Sequence, residues 1–408
     1  MSSFLPIAVP LILALSTSHL LAQNSYPIVL VHGFWGWGPE EMAGYNYWGG
    51  FHDLEVDLES LGYDVYAVSV GPVSSNWDRA VEMYHQLKGG QVDYGRRHAQ
   101  TYGIIQKPEG KEYKGLYPQW DRDHPIHIIG HSMGGQTARM LAFLLENRIF
   151  SDSSRTVPEE SPLLGQSNEG WIRSITSIST PHDGTTLLDL RLENIPYYLF
   201  LVGVASVVET DFYDFDLDQW GFQRGKKERW ADYYRRLREH PLWESKNMGV
   251  WDVSLDGARE LNTYLRAEED IFYFSFATSA THLDTATGTH VPDESINLLL
   301  RSEARWMGKQ VISWADGTSI DSTWFENDGT VNTVSQFGPT TGLNGPDPIV
   351  AFNPDTPLKP GRWYSQGPLR MDHWYVAGHF IPPGRDEEWA TVRRIYEDHC
   401  RLLWSLPP

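Results

Sequence analysis

Short apolar runs alternate with longer amphipathic stretches along the first half of this chain. The runs at 26–34, 64–71 and 125–130 have few polar interruptions, which is typical of strands buried on both faces. Between the second and third runs, NWDRAVEMYHQLKGG follows a helical period and ends at two glycines. WIRSITSIST then adds a further strand before a loop. This alternation predicts an α/β fold with a mostly parallel central sheet flanked by helices.

The pattern changes after about residue 187. PYYLFLVGVASVV is strongly apolar and is followed by acidic residues instead of another strand signal. Two interpretations stay open: a core helix, or an amphipathic helical lid over about 187–210 whose apolar face meets lipid, and we favour the lid. The region 210–265 is aromatic and mixed in charge, with helical stretches such as RWADYYRRLREH, and predicts a small helical insertion.

The C-terminal part contains one clear strand pattern and one clear helix pattern. DIFYFSFATS predicts a strand, and DEEWATVRRIYEDHCRLL predicts a closing helix. The stretch 338–361 is rich in proline and glycine, and we predict a long surface loop there. No repeat or low-complexity tract interrupts the chain, so 23–408 is expected to form one enlarged domain.

Composition narrows the class of partner. The 408 residues are 41% hydrophobic and 21% charged, which is typical of a globular protein, and the formal net charge is −20. An acidic chain of this kind is repelled by nucleic acid and by anionic membranes, whereas a neutral substrate is unaffected. Cys400 is the single cysteine, so no intrachain disulfide can form.

The N-terminus resembles a secretory signal. An apolar run over 4–15 is followed by small and polar residues, and Ala22 precedes a polar Gln-Asn-Ser. We therefore expect a signal peptide over 1–22 and a secreted product, although the usual basic residues are missing. An uncleaved anchor is the alternative, but Pro6, Pro10 and the short run disfavour it. No transmembrane segment is expected in the mature chain.

Residues 130–134 match the pattern G-x-S-x-G at the turn between a predicted strand and a predicted helix. In such an elbow the serine takes a strained backbone, and side chains at the glycines would clash with neighbouring elements. Ser132 is either an exposed nucleophile or an ordinary helix cap, and the strand–turn–helix context favours the nucleophile. The N–H of Met133 and the N–H of Phe34, which follows an early strand ending in His-Gly, are the candidate oxyanion donors.

A serine nucleophile needs a base, and the base needs an acid to orient it. In this fold class both follow the serine in the chain. The residue types alone leave several candidates open, namely Asp183, Asp284, Asp328, His182, His282, His290, His373 and His379. Asp328 in ENDGTVN and His373 in MDHWYVAG have favourable loop contexts, but each could be an ordinary loop residue.

Several longer motifs resemble one known family. They include HGFWGWGPEEM, YWGG, GPVSSNWDRA, HIIGHSMGGQTARML, STPHDGTTL, YDFDLDQWG, ENDGTVN and DHW. These are similar to the secreted bacterial lipases of the Geobacillus and Staphylococcus type, from about residue 27 to the last helix. The resemblance implies an α/β-hydrolase fold with a helical lid, and hydrolysis of triacylglycerols and other carboxylic esters. It places the nucleophile on Ser132, the acid on Asp328, the base on His373 and the oxyanion donors on Phe34 and Met133.

The same resemblance implies a structural zinc ion between the core and the helical insertion. Asp78, His98 and Asp218 match three of its ligands, but Ile104 stands where the fourth, a histidine, is expected. Structural zinc sites usually need four protein ligands. Zinc therefore stays open: a water or a residue of loop 104–124 completes the site, or Asp78 and His98 form a polar pair without metal.

The family's calcium site is expected to be absent. Its two acidic ligands correspond to Tyr375 and Phe380 here, and neither side chain can bind calcium as a carboxylate does. No other cofactor is expected to be required for the chemistry.

The sequence thus predicts a secreted triacylglycerol lipase acting on neutral lipid at an oil–water interface through an acyl-enzyme. One alternative is a carboxylesterase or acyltransferase that uses soluble esters. The other is a non-catalytic lipid-binding protein on the same scaffold, which the intact serine, acid and base disfavour.

Overall fold

The computed structural model describes residues 24–147, 161–188, 215–222, 225 and 227–408. The expected signal peptide and most of the expected lid lie outside these residues, so both stay predictions. Seven strands form the central sheet: β1 Ile28–Val31, β2 Val65–Val68, β3 Ile126–His131, β4 Ile172–Ile178, β5 Phe272–Thr278, β6 Ile349–Ala351 and β7 Trp363–Leu369.

Every strand pair in this sheet is parallel, in the order β6-β7-β5-β4-β3-β1-β2. Val31 at the end of β1 lies opposite Val68 on one side and Gly130 on the other. The carboxyl ends of β1, β2 and β3 therefore meet at one edge. Ligands of open α/β sheets bind at that edge, so the sheet fixes where a site can form.

Helices cover both faces of the sheet, and successive side chains of β1 point alternately into the core on each face. Val29 and Val31 pack into one core cluster, and Ile28 and Leu30 pack into a second cluster. All four side chains are fully buried, which is why the strand is a continuous apolar run instead of an alternating one.

Nine helices are described: α1 Leu54–Ser60, α2 Asn76–Lys88, α3 Arg96–Tyr102, α4 Met133–Glu146, α5 Trp230–Arg238, α6 Gly249–Asp252, α7 Leu255–Asn262, α8 Arg301–Met307 and α9 Asp386–Trp404. Four of them, α2, α4, α5 and α9, lie where the sequence patterns predict a helix. α2 begins at the Ser75 cap, whose hydroxyl accepts the Asp78 N–H, and ends at Gly89. Helices α5, α6 and α7 lie within the predicted insertion. Among the described residues, no helix is long and apolar enough to cross a membrane.

The fold class is confirmed, but one local prediction is wrong. The stretch 338–361, expected to be a surface loop, contains the edge strand β6. This strand has three residues, none of them buried, so it leaves no pattern of buried positions. The next strand, β7, was not predicted from the sequence either. Gly367 and Pro368 interrupt its end, where the register with β5 shifts.

Candidate active site

Ser132 lies on a strained turn between β3 and α4. Its backbone has φ 55° and ψ −129°, a conformation that is rare for a residue with a side chain. A Cβ on Gly130 would lie 2.4 Å from the carbonyl carbon of Gly134, and a Cβ on Gly134 would lie 2.2 Å from the carbonyl oxygen of Val31. The two glycines are therefore needed for the elbow to close, and the strained turn presents the serine at the edge of the sheet.

The structure brings three predicted residues into one hydrogen-bonded chain. His373 Nε2 lies 3.0 Å from Ser132 Oγ, and His373 Nδ1 lies 2.9 Å from Asp328 Oδ2. Ser132 lies on the β3–α4 turn, Asp328 lies in the segment between α8 and β6, and His373 lies in the loop after β7. All three are buried, so the two hydrogen bonds lie in an environment of low dielectric constant.

The Asp328 carboxylate is held by donors on both oxygens. Oδ1 accepts the backbone N–H groups of Thr330 (2.9 Å) and Val331 (2.7 Å). Oδ2 accepts the Thr278 hydroxyl (2.8 Å) and the Gln336 amide (3.1 Å) in addition to His373. A buried carboxylate with this many donors is fixed in orientation and stays an acceptor toward the imidazole.

The other candidate acids and bases have different surroundings. Asp183 is buried and accepts the N–H groups and hydroxyls of Thr340 and Thr341. Asp284 caps an exposed hairpin turn, and His282 pairs with Asp293 at 2.7 Å. The remaining three side chains make their described contacts away from Ser132, with Ser177 for His182, with Thr281 for His290 and with aromatic rings for His379.

The predicted oxyanion donors lie on either side of the nucleophile. Met133 is the first residue of α4 and directly follows Ser132. Phe34 follows Gly33, where a Cβ would lie only 2.6 Å from Ser132 Cβ, so the loop after β1 passes directly beside the serine. Free N–H groups at a helix N-terminus and in such a loop are suited to stabilise an oxyanion.

Arg79 holds the loop after β1 in place. The fully buried guanidinium donates to the His32 carbonyl, to the Gly71 carbonyl (2.9 Å) and to the Thr137 hydroxyl (2.9 Å). It thereby joins the loop after β1, the loop after β2 and helix α4. No local sequence signal marks Arg79, because its role depends on three segments that meet only in the fold.

The predicted metal ligands are brought together only in part. His98 Nε2 lies 2.9 Å from Asp78 Oδ1, while Asp78 Oδ2 accepts the amides of Gln219 (3.1 Å) and Asn247 (3.0 Å). Asp218 lies in the short helix Asp218–Trp220. Within the described ranges, no three His, Cys, Asp or Glu side chains form a group that could hold a metal ion. This donor set does not fit a closed four-ligand zinc site, and both alternatives from the sequence, a zinc ion or a metal-free polar pair, stay open to test.

A parallel sheet with a serine on a strand–turn–helix elbow, followed along the chain by an aspartate and a histidine, defines an α/β-hydrolase fold. Comparison with known proteins makes the assignment more specific. Residues 24–343 match the family model described as "Lipase-like, C-terminal domain". The chain belongs to this lipase-like family.

Individual relatives agree with this assignment. Lipase 1 of Staphylococcus aureus (strain MRSA252) is 36% identical over 327 residues, which are 78% of this chain and 46% of that protein. The structure of EstA from Clostridium botulinum superposes with a TM-score of 0.87 at 37% identity, covering 98% of this chain and 92% of that one. Lipase 1 from Pelosinus fermentans gives a TM-score of 0.79 at 38% identity, covering 92% and 98%. The chain spans about half the length of the curated staphylococcal relatives it matches.

Proposed function

We propose that this protein is a serine carboxylic ester hydrolase, and specifically a triacylglycerol lipase. The observation that carries the proposal is the continuous hydrogen-bonded chain from Ser132 through His373 to Asp328. A serine hydroxyl is a weak nucleophile on its own, and such a chain supplies both the base and the group that orients it.

In the proposed reaction, His373 Nε2 takes the Ser132 proton as Oγ attacks the carbonyl carbon of the ester. The N–H groups of Phe34 and Met133 donate to the oxyanion that forms. His373 then gives its proton to the departing alkoxide, which leaves as the alcohol and an acyl-enzyme remains. Water, deprotonated by His373, attacks the acyl group and releases the carboxylic acid and free Ser132.

The proposed substrate is a neutral acylglycerol. The net charge of −20 disfavours anionic head groups, and relatives at this level of identity are named lipases. The expected N-terminal signal supports secretion, and a secreted enzyme would meet its substrate at an oil–water interface. Both the secretion and the interface belong to the proposal.

The experiment is a panel of p-nitrophenyl esters and emulsified triglycerides, tested on the wild-type protein and on Ser132→Ala. We expect hydrolysis of both substrate types by the wild type and loss of both in the variant, together with loss of labelling by an organophosphonate. Unchanged hydrolysis in Ser132→Ala would overturn the proposal. Saturation below the solubility limit of a short-chain ester, without a rise above it, would indicate an esterase for soluble substrates instead.

Metal content is tested separately. We expect the purified protein to hold less than one equivalent of zinc, with no change in Asp218→Ala. Stoichiometric zinc that is lost in Asp218→Ala would show that the three matched ligands are completed by another group.

A further inference from the structure

Two buried side chains outside the triad connect the loop after β1 to the histidine of the triad. The Tyr47 hydroxyl lies 2.8 Å from the Gly33 backbone nitrogen and 2.6 Å from His131 Nδ1. On its other side, His131 Nε2 lies 2.9 Å from the His373 carbonyl oxygen. These contacts join segments that are far apart in the chain, since His131 and His373 are separated by 242 positions.

The direction of each hydrogen bond follows from what each group can do. The Gly33 N–H can only donate, so the Tyr47 oxygen accepts it and its own hydrogen points to His131 Nδ1. The His373 carbonyl can only accept, so His131 carries its proton on Nε2. Burial is the main reason why the pKa of His131 lies well below its usual value, and the nearby His373 and His379 lower it further. The ring is therefore neutral.

Each end of this connection touches a group that the proposed reaction uses. Gly33 immediately precedes Phe34, the proposed oxyanion donor. The His373 backbone is held at both of its polar groups, since its N–H also donates to the Asp328 carbonyl at 3.0 Å. The rings of His131 and His373 lie 4.7 Å apart, so a neutral His131 also avoids repelling the imidazolium that forms on His373.

We propose that Tyr47 and His131 are positioning residues that hold the oxyanion loop and the catalytic histidine in register with Ser132. The inference rests on the proposed hydrolase function. Its physical reason is the sensitivity of the reaction to geometry, because a displacement of about 1 Å costs about 100-fold in rate. A tyrosine–histidine connection with only one consistent proton arrangement limits such displacements at both ends at once.

The test compares Tyr47→Phe, His131→Gln and the double variant on soluble p-nitrophenyl butyrate, with active sites titrated by an organophosphonate. Tyr273→Phe is the matched control: this buried tyrosine also accepts a backbone N–H, from Glu268 at 3.0 Å, but it lies near the start of β5. We expect Tyr47→Phe to lower kcat per titrated site by about 10- to 100-fold with KM nearly unchanged, and Tyr273→Phe to leave kcat per titrated site unchanged.

The double variant distinguishes a connected pair from two independent ones. If Tyr47 and His131 act together, the double variant loses little more than the worse single variant. His131→Gln, whose amide can still donate toward the His373 carbonyl, should retain more activity than His131→Ala. Wild-type kcat per titrated site in Tyr47→Phe, or fold-losses that multiply in the double variant, would overturn the proposal.

A second measurement does not depend on catalysis. Nitrogen-15 NMR of the histidine rings should show His131 as a neutral Nε2–H tautomer from pH 5 to 8, with its Nδ1 resonance shifted in Tyr47→Phe. A protonated ring or an Nδ1–H tautomer in the wild type would overturn the proposed proton arrangement, even in a protein that fails the hydrolysis test. Inactivity of the wild type with the expected tautomer would instead reject the proposed function.

Discussion

Replacing Asp328 by asparagine tests the electrostatic logic of the site, because the change keeps the size of the side chain and alters only what it can donate or accept. One of its two positions must then hold an NH2 group, which cannot accept a hydrogen bond. At the Oδ1 position that group would face two backbone N–H donors, from Thr330 and Val331, which cannot be reversed. At the Oδ2 position it would face the Gln336 amide, the Thr278 hydroxyl and His373.

Only the second placement can be relieved by a change in the neighbours. A hydroxyl can rotate, and the imidazole can move its proton from Nδ1 to Nε2 so that Nδ1 accepts from the asparagine. That tautomer puts a proton on the nitrogen that must take the Ser132 proton. Loss of the correct tautomer lowers kcat by about 10⁴-fold in serine hydrolases of this geometry, which is about 5.5 kcal/mol of transition-state free energy.

The assay is kcat on p-nitrophenyl butyrate at pH 8 for Asp328→Asn and for a control, Asp183→Asn. Asp183 is an equally buried carboxylate, with donors from Thr340 and Thr341, but its described contacts do not include His373. We expect both variants to lose stability, since both place an NH2 group among donors, and only Asp328→Asn to lose about 10⁴-fold in kcat. Retention of more than a tenth of wild-type kcat by Asp328→Asn, or equal losses in the two variants, would refute the tautomer argument.

Two further variants test the packing of the elbow and the buried histidines. Gly134→Ala should destabilise the protein by about 1–3 kcal/mol in urea unfolding, because its Cβ would lie 2.2 Å from the Val31 carbonyl oxygen, and unchanged stability would contradict the close approach. Burial lowers the pKa of His399 from 6.5 to about 3, so the unfolded state binds more protons between these values and the stability held above pH 6.5 is lost as the pH falls. His399→Phe should therefore gain about 2 kcal/mol on the wild type between pH 7 and pH 5, and parallel pH profiles would contradict this.

The parts of the fold that the sequence predicted are those whose signals are local. The run before Ser132 is apolar at Ile126, Ile128 and Ile129, which pack into the two core clusters, and the glycine pattern of the elbow lies within five consecutive residues. Strand β6 shows the opposite case. It lies at the edge of the sheet with no buried position, so the physical reason for an apolar pattern is missing.

The residues alone reduced the number of candidate acids and bases, but they did not identify which aspartate and which histidine act. His373 lies 241 positions from Ser132 and 45 from Asp328, so their contact depends on where the fold places the segment between α8 and β6 and the loop after β7. His282 shows why residue type is a weak guide. It also has a carboxylate partner, Asp293 at 2.7 Å, but this pair lies on an exposed hairpin. The resemblance of the longer motifs to a known family selected Asp328 and His373, which the residue types and their loop contexts could not do.

The positioning residues are harder to predict from the sequence than the triad, because their role depends on where their protons lie. His373 faces a carboxylate through Nδ1, so its proton lies on that nitrogen and Nε2 is left as an acceptor for Ser132. His131, whose ring lies 4.7 Å away, faces a carbonyl through Nε2 and a tyrosine hydroxyl through Nδ1, so its tautomer is the opposite one. Two neighbouring histidines therefore have different chemistry, one able to take a proton from the serine and one unable to do so. Because each tautomer is set by partners distant in the chain, only the folded structure distinguishes the catalytic base His373 from the positioning residue His131.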